Sequence, residues 1–274
     1  LTRSEDVQAK TRDAFGVKMR WSPEWAKGGT LGAYYRRFDE VDPWLQLNLA
    51  DAQYRLAYPK GTKLYGLSAS GTVEGVSVAA EVARRQNTGL YAESSTYTAG
   101  PADGPRGDVT YALLNAISYL GKTEVFDSMV ISAEIAHGRL NKVVSNADAF
   151  SEAGTAACVS GGTPGNSAAT GCATRSWTAF GISLVPKWDA VFAGVDLTVP
   201  ITFIRGLKGN PAASGGQPAE GTGAWSAGVT ADINFKHTVS LFYNGYTSKI
   251  TDGRLNRSTL GDRGWVSLTY KTSF

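Results

Sequence analysis

Apolar and polar residues alternate with a period of two in stretch after stretch of this chain, and that alternation limits most what the sequence can fold into. It is clearest at the end, in Trp265-Val266-Ser267-Leu268-Thr269-Tyr270-Lys271-Thr272-Ser273-Phe274. Val266, Leu268, Tyr270 and Phe274 share one side with Thr272, while Ser267, Thr269, Lys271 and Ser273 share the other. Successive side chains of a strand point to opposite faces, so the stretch reads as a strand with one apolar and one wet side. The pattern recurs in Val195, Leu197, Val199, Ile201 and Phe203, and in Trp225, Ala227, Val229, Ala231, Ile233 and Phe235. Shorter versions lie at 15–21, 76–82, 129–135 and 239–243. The intervening positions hold Lys18, Arg20, Glu81, Arg85, Glu134, Asp232, Lys236 and Lys271, whereas the apolar positions are almost free of charge.

Two architectures satisfy such a pattern. In a soluble sandwich the apolar face is the core; in a membrane barrel it faces lipid and the polar face lines the lumen. Connector lengths decide between them. Strands are expected near 14–22, 30–38, 62–72, 75–86, 107–120, 128–140, 173–187, 193–206, 224–235, 237–249 and 262–274. Between them, short turns alternate with long segments at 39–61, 87–106, 141–172, 207–223 and 251–261. Short periplasmic turns and long extracellular loops are the membrane-barrel pattern, which a sandwich has no reason to keep. The expected fold is therefore all-β, a transmembrane antiparallel β-barrel of the outer-membrane type, with 11–12 strands in residues 1–274 and residues 1–13 as an extracellular tail. Localisation in a bacterial outer membrane follows, with lipid, lipopolysaccharide and the barrel-assembly machinery as partners. Val266, Leu268, Tyr270 and the terminal Phe274 would form the assembly signal, since ending on Phe after such a strand resembles that of outer-membrane barrels.

Bulk composition agrees. No segment approaches the roughly 18–20 apolar residues of a membrane helix, and mean hydropathy is only −0.18, as expected of strands apolar on one side. A net charge of +3, without a block of like charges, gives no reason to expect nucleic acid. The polar stretch that begins at Leu1 does not read as a secretory leader; a leader is expected to have been removed, or this chain to be a downstream part of a longer protein. Cys158 and Cys172 flank a stretch rich in Gly, Ser, Thr and Ala and read as a disulfide across an exposed loop. His137 and His237 are the only histidines, and the expected topology puts them on opposite sides of an apolar band about 25 Å tall. No shared catalytic site, metal-ligand spacing or cofactor motif emerges, so an enzyme is not expected.

Aromatic residues fall at strand ends. Trp21, Trp25, Trp188, Phe192, Phe235 and Phe274 would form a periplasmic girdle. Arg205, Lys208, Arg254, Arg257 and Arg263 fall at the opposite level, facing lipopolysaccharide phosphates or simply solvated. In 39–61, Asp42-Pro43 can start a helix with Leu45, Leu49, Ala52 and Leu56 on one face. Such a helix would constrict the mouth, lie on the rim or pack against another segment.

Eleven strands cannot close an all-antiparallel barrel, so further strands, from an upstream segment or another chain, are expected to complete it, the alternative being a twelfth strand around Gln53–Tyr58. Tyr58-Pro59, Leu64-Tyr65-Gly66-Leu67-Ser68, Gly75-Val76-Ser77-Val78-Ala79-Ala80-Glu81-Val82, Ala193-Gly194-Val195-Asp196-Leu197-Thr198-Val199-Pro200 and Asp262-Arg263-Gly264-Trp265-Val266-Ser267-Leu268 give the chain a family likeness. It resembles the C-terminal half of a proteobacterial outer-membrane family catalogued as domain of unknown function 1302. The resemblance implies an upstream half and a role with hydrophobic small molecules or lipids. A lumen with both signs of charge suits a channel or transporter for small molecules. The same charges could instead rigidify a closed structural barrel used in assembly or surface interaction.

Overall fold

The computed structural model describes residues 1–7, 13–92, 95–96, 104–158, 167–213, 217–251, 253–258 and 260–273. Among them there is no α-helix, and no helix long and apolar enough to cross a membrane. Along the chain come β1 (Thr2–Arg3), β2 (Phe15–Trp21), β3 (Thr30–Phe38), β4 (Trp44–Asn48), β5 (Gln53–Ala57) and β6 (Thr62–Val73). They are followed by β7 (Val76–Gly89), β8 (Ser95–Thr96), β9 (Arg106–Leu120), β10 (Ser128–Ser145), β11 (Ser176–Phe192) and β12 (Val195–Thr198). Last come β13 (Ile201–Lys208), β14 (Gly223–Ile233), β15 (His237–Thr247), β16 (Ile250–Thr251), β17 (Arg254–Leu255) and β18 (Trp265–Thr272).

One antiparallel sheet forms a wall in the order β18-β15-β14-β12-β11-β10-β9-β7-β6-β3-β2, with β13 also pairing β11 and β14. That order has eleven positions, because β12 and β13 lie end to end in one of them. The wall thus has the expected strand number. The interruption between β12 and β13 falls at Val199-Pro200, where proline lacks the N–H a ladder needs. Register holds across the gap: the Val199 amide donates to the Pro186 carbonyl at 3.0 Å, and the Gly228 amide to the Pro200 carbonyl at 3.2 Å. Among the described residues, β2 pairs only with β3 and β18 only with β15, so they are the edges of the wall.

The register carries the sequence alternation across every strand. Val229, Leu241 and Leu268 line up on one face, as do Ala231, Val239 and Tyr270. On the same face Phe15, Tyr35 and Tyr65 form a ring ladder, with centroids 5.6 and 5.0 Å apart. Ala69, Ala80, Leu114 and Ile135 continue that face across β6, β7, β9 and β10. Met19 is 67% exposed, Leu67 66% and Leu268 73%, so among the described residues nothing covers this apolar surface.

Two expectations are corrected at the loop end. The 39–61 segment is not a helix but the hairpin β4–β5, with Leu45 opposite Leu56. Trp44 and Gln46 are buried while Leu45 is exposed, a period of two rather than 3.6. The turn starts at Asn48, whose Oδ1 accepts from the Asp51 amide at 3.2 Å. Residues 1–7 are not a free tail. β1 runs parallel to β5, Val7 bridges to Ala57, and β4 pairs with β8, giving a second sheet in the order β1-β5-β4-β8. Two wall strands also reach further than expected, β10 to Ser145 and β11 to Phe192.

The long loops pack into a cap. Its core joins Leu90, Phe150, Ala173, Ala212 and Ala213 to Val109, Leu140 and Trp177 of the wall. Trp177 belongs to the polar face, in a cross-strand row with Gly138 and Tyr111. The cap therefore docks on the polar side of the wall, at its loop end.

Candidate functional site: the polar face of the wall

Three levels can be distinguished on the polar face. At the loop end, the Arg85 guanidinium lies over the Tyr111 ring at 5.2 Å, and the Tyr111 and Trp177 rings meet edge to face at 5.9 Å beneath the cap. Gly138 makes room for Trp177: a Cβ there would come within 2.2 Å of the indole. At mid-height an open groove of about 410 Å³ is lined by Asn115, Ser132, Glu134, Ser183, Thr202 and Ile204, among others. Glu81 lies one strand beyond it, in a row with Arg20, Gly32 and Ser68. At the turn end, Lys187 reaches Asp196 at 3.0 Å and also contacts Asp189. Beside them the Thr238 hydroxyl donates to Asp232 at 2.6 Å, with Lys271 next in the row.

Register therefore places Lys18, Arg20, Glu81, Arg85, Glu134, Asp232 and Lys271 on one face, at different heights and strands. It does not gather them into one cluster. Lys18 and Arg20 sit on one edge strand and Lys271 on the other. Lys236 is not in a strand: β14 ends at Ile233, and the turn that follows puts Asn234 and Phe235 at positive φ. Lys187, Asp189 and Asp196, absent from the expected set, form a charge cluster at this end of the face. Asp196 alternates with Val195 and Leu197, so its facing was readable; that Lys187 would meet it was not.

The remaining expected features fall as follows. Cys158 and Cys172 form a disulfide with an S–S distance of 2.01 Å, and both are fully buried in the cap. Val266, Leu268 and Tyr270 are exposed on the apolar face, and the Tyr270 hydroxyl is 2.8 Å from His237 Nδ1. Phe274 lies outside the described residues. Trp21 and Trp25 meet edge to face at 6.2 Å by the first turn, and Phe235 is 94% exposed. Arg257 is no surface cation: it donates to the Gly171 and Pro211 carbonyls at 2.7 and 3.0 Å and covers the Tyr91 ring at 3.6 Å. His137 and His237 lie at opposite ends of the wall, in the loop half of β10 and at the start of β15. Among the described residues no group of three or more His, Cys, Asp or Glu side chains could hold a metal ion.

Asn210, fully buried, is the node of the cap. Its Nδ2 donates to the Ala168 and Cys172 carbonyls at 2.6 and 2.8 Å. Its Oδ1 accepts from the Glu220 amide and from Asn256 Nδ2, both at 3.0 Å. Three loops are tied through one side chain. Glu220 adds a charged link, bonded to Lys249 and accepting the Gly209 amide at 2.8 Å. The Lys249 ammonium, and then that amide, hold the Glu220 carboxyl below its ordinary value of 4.5. On the short-turn side, Lys122 and then the Asp189 amide hold Asp127 below the usual carboxylate range. Asp127 thus clasps neighbouring turns together, with the Trp188 indole donating to the Val125 carbonyl at 2.6 Å.

The profile of the family described as Protein of unknown function (DUF1302) matches residues 1–274. The chain belongs to that family. No curated protein matches it, and no solved structure does. Membership of DUF1302 agrees with the likeness carried by the strand-and-turn runs at 64–68, 75–82, 193–200 and 262–268.

Proposed function

We propose that this DUF1302 chain is part of an outer-membrane β-barrel that passes small molecules between the medium and the periplasm. One observation carries the reading: a single sheet presents an uncovered apolar face along its whole width and a polar face bearing both signs of charge. In water the apolar face would be a large aggregation liability; in a bilayer it is the lipid contact, with every wall strand bonded to its neighbours as lipid requires. Turns then lie in the periplasm and the cap outside. The groove at Asn115, Ser132 and Glu134 lies on the solute path, and the family likeness points to hydrophobic or lipid-like cargo. The edges β2 and β18 take further strands, from an upstream segment or another chain, during assembly by the barrel machinery.

The cap supports a second reading. Its core, disulfide and Asn210 node fix the loops over the loop end of the polar face, as a closed barrel with an assembly or surface-interaction role would require. Reconstitution of the full chain in liposomes separates the two. Entry of small solutes, altered in rate by Glu134→Gln, is the outcome expected of a channel. Membrane insertion without any solute flux would favour the closed structural barrel.

A further inference from the structure

The apolar face is not symmetric from end to end. Among the described residues its cations sit only at the loop end: Arg37 beside Lys63, Arg84 and Arg139 on either side of Thr110, and Arg205 beside Phe180. At the turn end the same face shows Pro186, Trp188, His237 and Thr272 instead. Of the described carboxylates at the loop-end border, Asp108 is buried and already bound by Arg84 at 3.1 Å, Lys142 at 3.7 Å and the Asn87 amide, and Asp39 accepts the Gly61 amide at 2.7 Å. Among the described residues, Arg37, Lys63, Arg139 and Arg205 have no carboxylate partner. Thr110, Ala112, His137, Arg139 and Asn141 also line a depression of about 520 Å³ in this border. Asn141 Nδ2 donates to Thr110 Oγ1 at 3.0 Å, and His137 Nδ1 lies 3.0 Å from Thr178 Oγ1, so its walls are held. Directly below it Leu114 and Ile135 are 54% and 42% exposed.

We infer that this border is a binding site for the phosphate headgroup of a membrane lipid, built on Arg139 and Arg84, with Lys63 beyond Arg84 on the next strand. The inference rests on the membrane reading above. Headgroup phosphate sits in the depression against Arg139 and Arg84, while acyl chains run down over Leu114 and Ile135. Two strand spacings separate Arg84 from Arg139, roughly 10 Å between Cα atoms, a span that long guanidinium side chains close around one phosphate. Cations confined to one end of a lipid-facing band also fix orientation, because only a phosphate-rich leaflet on the loop side satisfies them.

The test uses the full chain in phosphatidylcholine nanodiscs and follows binding of a fluorescent phosphatidic acid. The expected result is saturable binding that the matching diacylglycerol does not show, weakened roughly fivefold for each charge removed in Arg139→Gln and Lys63→Gln. Arg139→Lys restores most of the binding. Lys18→Gln, on the polar face, leaves it unchanged. Equal binding by wild type and both Gln variants, or equal loss with Lys18→Gln, overturns the site while leaving the barrel reading intact. Saturation by inorganic phosphate at the same concentration shows a free-anion site and also overturns it. Failure of the chain to enter nanodiscs at all overturns both readings.

Discussion

At the scale of single residues, facing follows from alternation, and environment follows from facing. Val229 is near the centre of β14 and points out with Leu241 and Leu268, whereas its neighbour Thr230 points in and donates to Ser240 at 2.9 Å. A charge on the lipid side of a barrel at mid-depth costs about 2–4 kcal/mol, and much less on the lumen side. Val229→Arg is therefore expected to lose that much in reversible unfolding from lipid, and Thr230→Arg a small fraction of it. Equal losses at both positions would contradict the assignment of the faces. Glu220 gives a pH prediction. Its carboxyl is held below 4.5 in the folded cap, so its contribution is complete above 4.5 and disappears as pH falls through the lowered value. Protease sensitivity of the cap should rise on acidification below 4.5 in the natural chain. Glu220→Gln should lose that acid step and make the cap more sensitive at neutral pH. Alternation made the facing of Glu134 or Asp232 readable. It could not show that Glu220 would meet Lys249, because both lie in loops 29 residues apart without a period.

Elements were legible where a strand repeats its pattern, and misleading where it is short. Leu45, Leu49, Ala52 and Leu56 do fit one helical face, yet Trp44-Leu45-Gln46-Leu47 also fits alternation. The choice was made by tertiary partners: the Trp44 indole donates to the Leu90 carbonyl at 2.7 Å, and Arg55 donates to Gln46 at 2.9 Å. Leu90 lies 46 residues from Trp44, outside any local window, so hairpin and helix were indistinguishable there. Docking of the cap on the wall is equally non-local. It depends on Trp177 lying over Gly138, its cross-strand partner 39 residues earlier. Valine is a good strand residue, so Gly138→Val should leave the wall intact. It would nonetheless displace a ring that is 3% exposed and held against Tyr111. Overpacking of this kind costs about 1–3 kcal/mol. The expected outcome is faster proteolysis within the cap, with unfolding of the wall unchanged. A cap as resistant as the natural one would show that Trp177 is not its anchor.

For the whole molecule the constraint is parity. Neighbouring wall strands are antiparallel and the order has eleven positions, so β2 and β18 run in the same direction. Joining them directly would require a parallel seam. A second copy inserted with the same orientation does not help, because its edges run the same way and every contact with β2 or β18 is again parallel. An antiparallel closure needs an odd number of additional strands between the two edges. In the proposed bilayer setting, lipid would give no alternative partner to the outer N–H and C=O groups of β2 and β18, each costing several kcal/mol if left unpaired. The test is a pair of introduced cysteines in the full chain. Ser240→Cys with Thr269→Cys joins true cross-strand neighbours and should oxidise readily in the membrane. Lys18→Cys with Thr269→Cys, one on each edge and both on the polar face, should give no bond within one chain. Efficient oxidation of that second pair would mean that β2 and β18 meet in a parallel seam, and the requirement for further strands would fall.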